Sequence, residues 1–303
     1  RGGGRCDGGR MVCARGGGRC DGGIAAEDTE TPRRGSALLF TALTLRGARC
    51  SHRRAMLPDI PDVYRDPRFL WVALGGAFVS MAAFALFAAP LTLLAWLDPP
   101  SLRRYRLQSR PPRAQNLVGA SIARWLVNNV VLLVVVTASW PLLARASVHL
   151  GEAPPWWLMA AEVTLFIYLD DFLFYWMHRA LHTPWLFRHV HAVHHQIRTP
   201  WAVTGHYSHV VEYVLTGILA LVGPALVGAH VYTLWAWVVW RQWEAAEGHC
   251  GYDFPWSPSH LLPGNDGARH HDVHHAKVKG NYAGFLAHVD GWLGTYCKGY
   301  RPS

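Results

Sequence analysis

From Phe69 to Leu97 the chain runs 29 residues without a charged side chain. Wholly helical, such a run is about 44 Å long against the ~30 Å hydrocarbon core of a bilayer, so it predicts a tilted or Pro90-kinked membrane span. Trp125 to Leu143 is a second uncharged stretch, flanked by Arg124 and Arg145. Trp157 to Met177 is a third, and its acids Glu162, Asp170 and Asp171 are costly in lipid and expected to face a polar site. Tyr213 to Trp240, broken by Gly223, Pro224 and Gly228, is either one long span or a hairpin of two shorter helices. Without water the backbone must satisfy itself within each span, so these runs predict an all-α integral membrane protein with about four transmembrane helices. A composition of 51% hydrophobic and 16% charged residues agrees and excludes a disordered chain.

Charge orients the spans. The loop from Asp98 to Leu117 holds Arg103, Arg104, Arg106, Arg110 and Arg113, which marks it as cytosolic. The second span then leaves that face and the third returns, delivering His178 to His209 to it; a hairpin over 213–240 brings His249 to His275 back to the same compartment. Thirteen Arg upstream of Phe69 oppose this scheme if the first segment crosses fully; a spurious leader or a re-entrant first segment removes the conflict. Residues 1–55 are expected to be a disordered Gly/Arg-rich tail or an artefactual leader, since RGGGRCDGG stands at 1–9 and again at 15–23 and cannot bury a core. N-terminal membrane helices are expected over 56–155 and a catalytic domain over 156–303. The net charge of +9 belongs to the tail and to loops beside apolar segments, so no nucleic-acid partner is expected. Cys6, Cys13, Cys20 and Cys50 lie in the tail, and Cys250 and Cys297 form no CxxC pair, which excludes a zinc ribbon or a disulfide framework.

The 18 histidines cluster. HRALH places His178 and His182 one helical turn apart; HAVHH supplies His191, His194 and His195; HDVHH repeats that spacing as His271, His274 and His275. Eight imidazoles exceed the needs of one metal ion, and a donor set rich in imidazole and free of thiolate fits two iron ions. His249, after Glu244 and Glu247 at the end of the last apolar stretch, is expected as a ninth ligand. Asp170, Asp171, Asp272 and His209 are expected around the ligands, the acids accepting hydrogen bonds from ring nitrogens that do not ligate. His189, His206 and His270 flank the motifs; His52, His149 and His288 read as surface residues, and His230 as a hydrogen-bonded helix residue. Tyr207, Trp235, Trp237 and Trp243 read either as interfacial anchors or as walls of a tunnel to the metals.

HRALH, HAVHH and HDVHH, in that order around apolar spans, resemble the fatty acid hydroxylase and sterol desaturase superfamily of membrane di-iron enzymes. WRQWEAAEGHCGYDFPWSP (Trp240 to Pro258), with Asn281-Tyr282, Asp290, Gly294-Thr295 and Lys298-Gly299-Tyr300-Arg301, is similar to the C-4 methylsterol oxidase branch, over about residues 110–301. The resemblance implies a multi-pass endoplasmic reticulum protein with a cytosolic, helical, histidine-rich di-iron cap. It implies a monooxygenase that takes O2 and electrons from cytochrome b5 or an NAD(P)H-dependent reductase, and oxidises the C-4 methyl group of a sterol precursor. No His-Pro-Gly-Gly haem motif occurs, so the donor is a separate partner. A sterol C-5 desaturase or a fatty-acyl or sphingoid-base hydroxylase would use the same site. A zinc-dependent membrane hydrolase needs one open site with three or four histidines, and a non-catalytic scaffold would be expected to lack a ligand; eight in register count against both.

Overall fold

The computed structural model describes residues 60–109, 117–146 and 148–298. The expected leader, Arg110, Arg113 and the Gly299-Tyr300-Arg301 motif lie outside them. Among the described residues the structure is helical, with isolated β-bridges in place of strands. A short α1 (Ile60–Tyr64) leads through a widened π-helical turn, Phe69–Leu74, into α2 (Gly75–Leu97). Then come α3 (Val118–Leu143), α4 (Trp156–Leu181), α5 (Pro184–His189), α6 (Val210–Val227), α7 (Val231–Gly248), α8 (Ala268–Lys277) and α9 (Ala287–Trp292).

Among the described residues, three segments are long and apolar enough to cross a membrane: Phe69–Leu97, Val118–Leu143 and Val210–Val227. Phe78, Leu86, Val127, Val130, Val134 and Leu226 stand exposed on them, as expected where the surroundings are lipid rather than water. The third expected span, α4, has the length, but Asp170, Asp171 and His178 on it are buried inside the protein. The fourth stretch is two helices. Gly228 ends α6 in the left-handed region at φ 66°, which favours glycine, and His230 caps α7 by accepting from the Tyr232 amide at 3.1 Å. α7 continues into Arg241, Gln242, Glu244 and Glu247, all buried, so its second half is polar and inward-facing.

α7 lies against α2 along its length, while α4 packs on both α6 and α7 and α3 packs on α6. That brings the start of α6 and the end of α7 together at one end of the bundle. The Arg-rich loop lies at that same end: the Leu107 amide donates to the Gly251 carbonyl at 3.0 Å, and Gln108 Nε2 donates to Asp272 Oδ1 at 3.0 Å. Arg103 and Arg106 both close on Asp98, at 3.0 and 2.9 Å, and Tyr252 donates its hydroxyl to the same carboxylate at 3.1 Å. Loop and histidine segments therefore share a face, as the charge pattern predicts.

Candidate metal centre

The nine histidines singled out in the sequence come together in two groups. His178, His182, His191, His195 and His274 form the first; His194, His249, His271 and His275 form the second. In each, one ring nitrogen per residue lies within 4.8 Å of all the others. The two HxxHH motifs are divided in opposite ways. HAVHH is a 3-10 turn, His191–Gln196, rather than part of a longer helix, and sends its first and last histidines to the first group and His194 to the second. HDVHH, on α8, sends His271 and His275 to the second group and His274 to the first. α4 supplies His178 and the residue after its end, His182, while His249 follows the last residue of α7.

Six of the rings are held by their Nδ1 atoms. His178 Nδ1 meets the Tyr282 carbonyl at 2.7 Å, His274 that of Gly280 at 2.7 Å and His275 that of Ile197 at 2.7 Å. His249 meets the Ala245 carbonyl at 2.9 Å, His194 that of Tyr207 at 3.1 Å, and His191 the Glu212 carboxylate at 2.9 Å. Carbonyls and carboxylates accept, so the single proton of each neutral ring sits on Nδ1 and the Nε2 lone pair points inward. In the first group the Nε2 atoms of two held rings, His178 and His191, face each other at 2.9 Å, and Nε2 of His195, whose own Nδ1 has no hydrogen-bond partner, lies 3.0 Å from those of both His191 and His274. In the second, His249 and His271 are 3.1 Å apart and His275 lies 3.2 Å from both. Lone pairs aimed at each other at such distances repel unless a cation lies among them, so both groups fit metal ions. Burial, reinforced for most of the rings by neighbouring imidazoles, keeps the set neutral: His182 and His191 are pushed down to about 3, and His249, His271, His274 and His275 well below the ordinary range. Neutral imidazole is the ligating form.

The acids expected beside the ligands bond elsewhere. Asp170 pairs with Arg241 at 2.9 Å, Asp171 accepts from the Phe285 amide at 2.9 Å, and Asp272 accepts from Gln108. Asp170 and Asp171 precede His178 by about two helical turns, some 10–12 Å along α4, and Asp272 is rotated by about 100° from His271 on α8. His209 caps α6, accepting from the Val211 amide at 3.2 Å, and bonds to none of the nine. Backbone carbonyls and Glu212 hold the rings instead. Of these, only Glu212 was open to detection in the sequence, as an acid in the first turn of an apolar helix.

The carbonyls of Gly280 and Tyr282 come from a turn with Val278 at φ 63°, Gly280 at φ 76° and Asn281 at φ 51°. A Cβ at Gly280 would lie 2.6 Å from the Thr295 carbonyl oxygen, so glycine is required there. Asn281 Nδ2 donates to the His270 carbonyl at 3.0 Å, and the fully buried Asp290 accepts from the Tyr282 and Ala283 amides, both at 2.8 Å. His270 Nε2 also lies 3.1 Å from Asp290. The tail residues Asn281, Tyr282, Asp290 and Thr295 thus brace the turn that orients His178 and His274.

The family model for fatty acid hydroxylases matches residues 163–295, which contain all nine histidines. A very-long-chain aldehyde decarbonylase, GL1-11 of Oryza sativa subsp. japonica, is 39% identical over 251 residues, 76% of this chain and 92% of that protein. The chain belongs to the fatty acid hydroxylase family. Methylsterol monooxygenases 2-2 and 2-1 of Arabidopsis thaliana are 37% and 36% identical, each over 77% of this chain. No solved structure matches. Membership of this family and the imidazole donor set together fit an iron centre.

A cavity of about 510 Å³ lies among α2, α3, α6 and α7, and His194, His249 and His271 are among the residues that line it. Its walls are mostly apolar, Leu126, Val130, Leu133, Ala220, Leu221 and Val238 among them. Tyr207, Trp235, Trp237 and Trp243 are not part of that lining. Trp237 is fully buried and donates to the Ala220 carbonyl at 2.8 Å, so its role is helix packing.

Proposed function

We propose that this protein is a membrane oxidoreductase holding two iron ions, one per histidine group, and hydroxylating an unactivated C–H bond of a lipid. The C-4 methyl group of a sterol precursor is the preferred substrate position. The observation that carries the reading is the largely apolar cavity whose lining includes three histidines of one group, since an apolar chamber beside the ligands suits an apolar substrate. The similarity to methylsterol monooxygenases over most of the chain supports the sterol. Iron held by these histidines supplies O2 binding and oxidising power when bound. The protein's own part is to hold the rings neutral and oriented through Glu212 and the Gly280, Tyr282 and Ile197 carbonyls, and to keep the reacting carbon away from water. Cytochrome b5 or an NAD(P)H-dependent reductase is proposed as electron donor, reaching the histidine end from the cytosolic side of the endoplasmic reticulum membrane.

A second reading, an enzyme acting on long-chain aldehydes, is favoured by the 39% identity to the rice decarbonylase. The two separate on products. Detergent-purified protein, reconstituted with cytochrome b5 and its reductase, is supplied with 4,4-dimethylcholestanol or with octadecanal under O2. Oxygen on the C-4 methyl supports the first reading; a one-carbon-shorter hydrocarbon from the aldehyde, with the sterol unchanged, overturns it in favour of the second.

A further inference from the structure

Three polar side chains from three elements meet on the largely apolar cavity wall. Gln242 of α7 lies 2.6 Å through its Oε1 from His206 Nε2 and donates from Nε2 to Ser80 Oγ of α2 at 3.0 Å. All three line the cavity. The His206 ring is held between Phe84, with centroids 4.1 Å apart, and Tyr213, at 5.2 Å. With the amide oxygen of Gln242 opposite Nε2, His206 carries its proton there, leaving Nδ1 as an acceptor, and Ser80 has a hydroxyl hydrogen to donate. Burial pushes His206 down to about 4, so the ring is neutral. The two bonds satisfy Gln242 and leave the Ser80 hydroxyl hydrogen and the His206 Nδ1 lone pair as a donor and an acceptor on the cavity lining.

Charge and position narrow what this donor and acceptor bind. The two arginines on the wall already have carboxylate partners, Arg68 with Asp66 at 2.6 Å and Arg241 with Asp170 at 2.9 Å, and Glu212 adds a further acid. Arg241 keeps a buried Nη2 without a hydrogen-bond partner, so the selection rests on the trio: the His206 Nδ1 acceptor beside the Ser80 hydroxyl donor matches a hydroxyl group, whereas a carboxylate has no hydrogen to give the ring. The trio is also next to the second histidine group. A Cβ on Gly205, the residue before His206, would lie 2.6 Å from the Ala245 carbonyl and 3.3 Å from His249 Nδ1.

We infer that Ser80, Gln242 and His206 form the subsite that binds a neutral hydroxyl group of the lipid, and that this hydroxyl lies within a few bonds of the carbon presented to the second histidine group. The inference deepens the proposed function by naming the substrate class, a hydroxylated neutral lipid rather than a fatty carboxylate. It gives these residues a positioning role, since they act on substrate placement and hold no metal.

The test is equilibrium binding to the detergent-purified, iron-loaded protein, which needs no turnover. Two probe pairs are used: 4,4-dimethylcholestanol against its 3-deoxy counterpart, and 1-octadecanol against octadecane. Wild type is expected to bind the hydroxylated member of at least one pair about tenfold more tightly, the ratio one buried hydrogen bond supplies. In Gln242→Leu and in Ser80→Ala the ratio falls toward one while iron content stays at the wild-type level; should the leucine variant not fold, Ser80→Ala carries the test. Equal binding within both pairs by wild type, or a ratio unchanged in a folded variant, overturns the inference. Discrimination confined to the linear pair, or sterol bound through its hydroxyl but never oxidised at C-4, keeps the inference and sinks the sterol reading.

Discussion

The two histidine groups look interchangeable as lists of ligands but differ in their surroundings. The first has five members and is bound by the turn at Gly280–Tyr282 and by Glu212. The second has four, and three of them line the cavity. Backbone carbonyls hold rings in both groups, those of Tyr207, Ala245 and Ile197 in the second, but only the second contributes histidines to the lining of the apolar chamber. An ion held by His194, His249, His271 and His275 would lie beside the cavity lining, on the side from which an apolar substrate would approach. Because each HxxHH motif feeds both groups, neither can shift without moving the other.

The sharpest way to break this comparison is to remove one ligand from each side. His274→Ala and His271→Ala are each expected to reduce product formation by more than about 100-fold, beyond the 10–100-fold that loss of an outer partner costs. Iron analysis with Mössbauer spectra should show each variant losing chiefly the iron of its own group. If both variants lose all iron alike, the groups act as one centre and the distinction fails. Glu212→Gln comes next. The carboxylate that holds His191 is weakened, so iron affinity, followed by competition with a chelator, should drop about 10–100-fold.

The neutral imidazoles give the chelator-stripped protein a pH signature. His182 and His191 titrate at about 3 in the folded chain against 6.5 when exposed, because burial disfavours the charged form. Depressed values mean stability is present above pH 6.5 and is lost progressively as the pH falls from there toward 3. Buried acids such as Asp272, held up to about 7 by burial, act in the opposite sense but are fewer than the nine imidazoles. Denaturation midpoints at pH 7.5, 6 and 5 should decrease in that order. A flat profile would show the rings are more accessible than the structure has them. The smallest effect is expected from Gly205→Ala, whose new methyl meets the Ala245 carbonyl and crowds His249. It should cost about 1–3 kcal/mol in thermal stability and disturb the second group while leaving the first intact.

Much of this was legible from residue order. Uncharged runs mark α2, α3 and α6 because a bilayer accepts little else, and i, i+3, i+4 histidines mark a metal site because imidazoles seldom recur so by chance. Periodicity misled where it assigned partners. Asp272 adjoins His271 in sequence yet bonds to Gln108 instead, and HAVHH, despite sharing the spacing of HDVHH, is a 3-10 turn. Glu212 was passed over because its partner His191 is 21 residues away, across a change of direction that no local pattern encodes.

Hydropathy and motif spacing, both local properties, thus determined the helical class, the nine histidines and their collection on one face. The division of those histidines into two groups, the carbonyls that orient them, and the meeting of Ser80, Gln242 and His206 were decided only by tertiary structure. Each depends on contacts between segments far apart in the chain, such as Gln242 and Ser80 across 162 residues. Such contacts are set by how helices pack against one another, and no single stretch of sequence contains both partners.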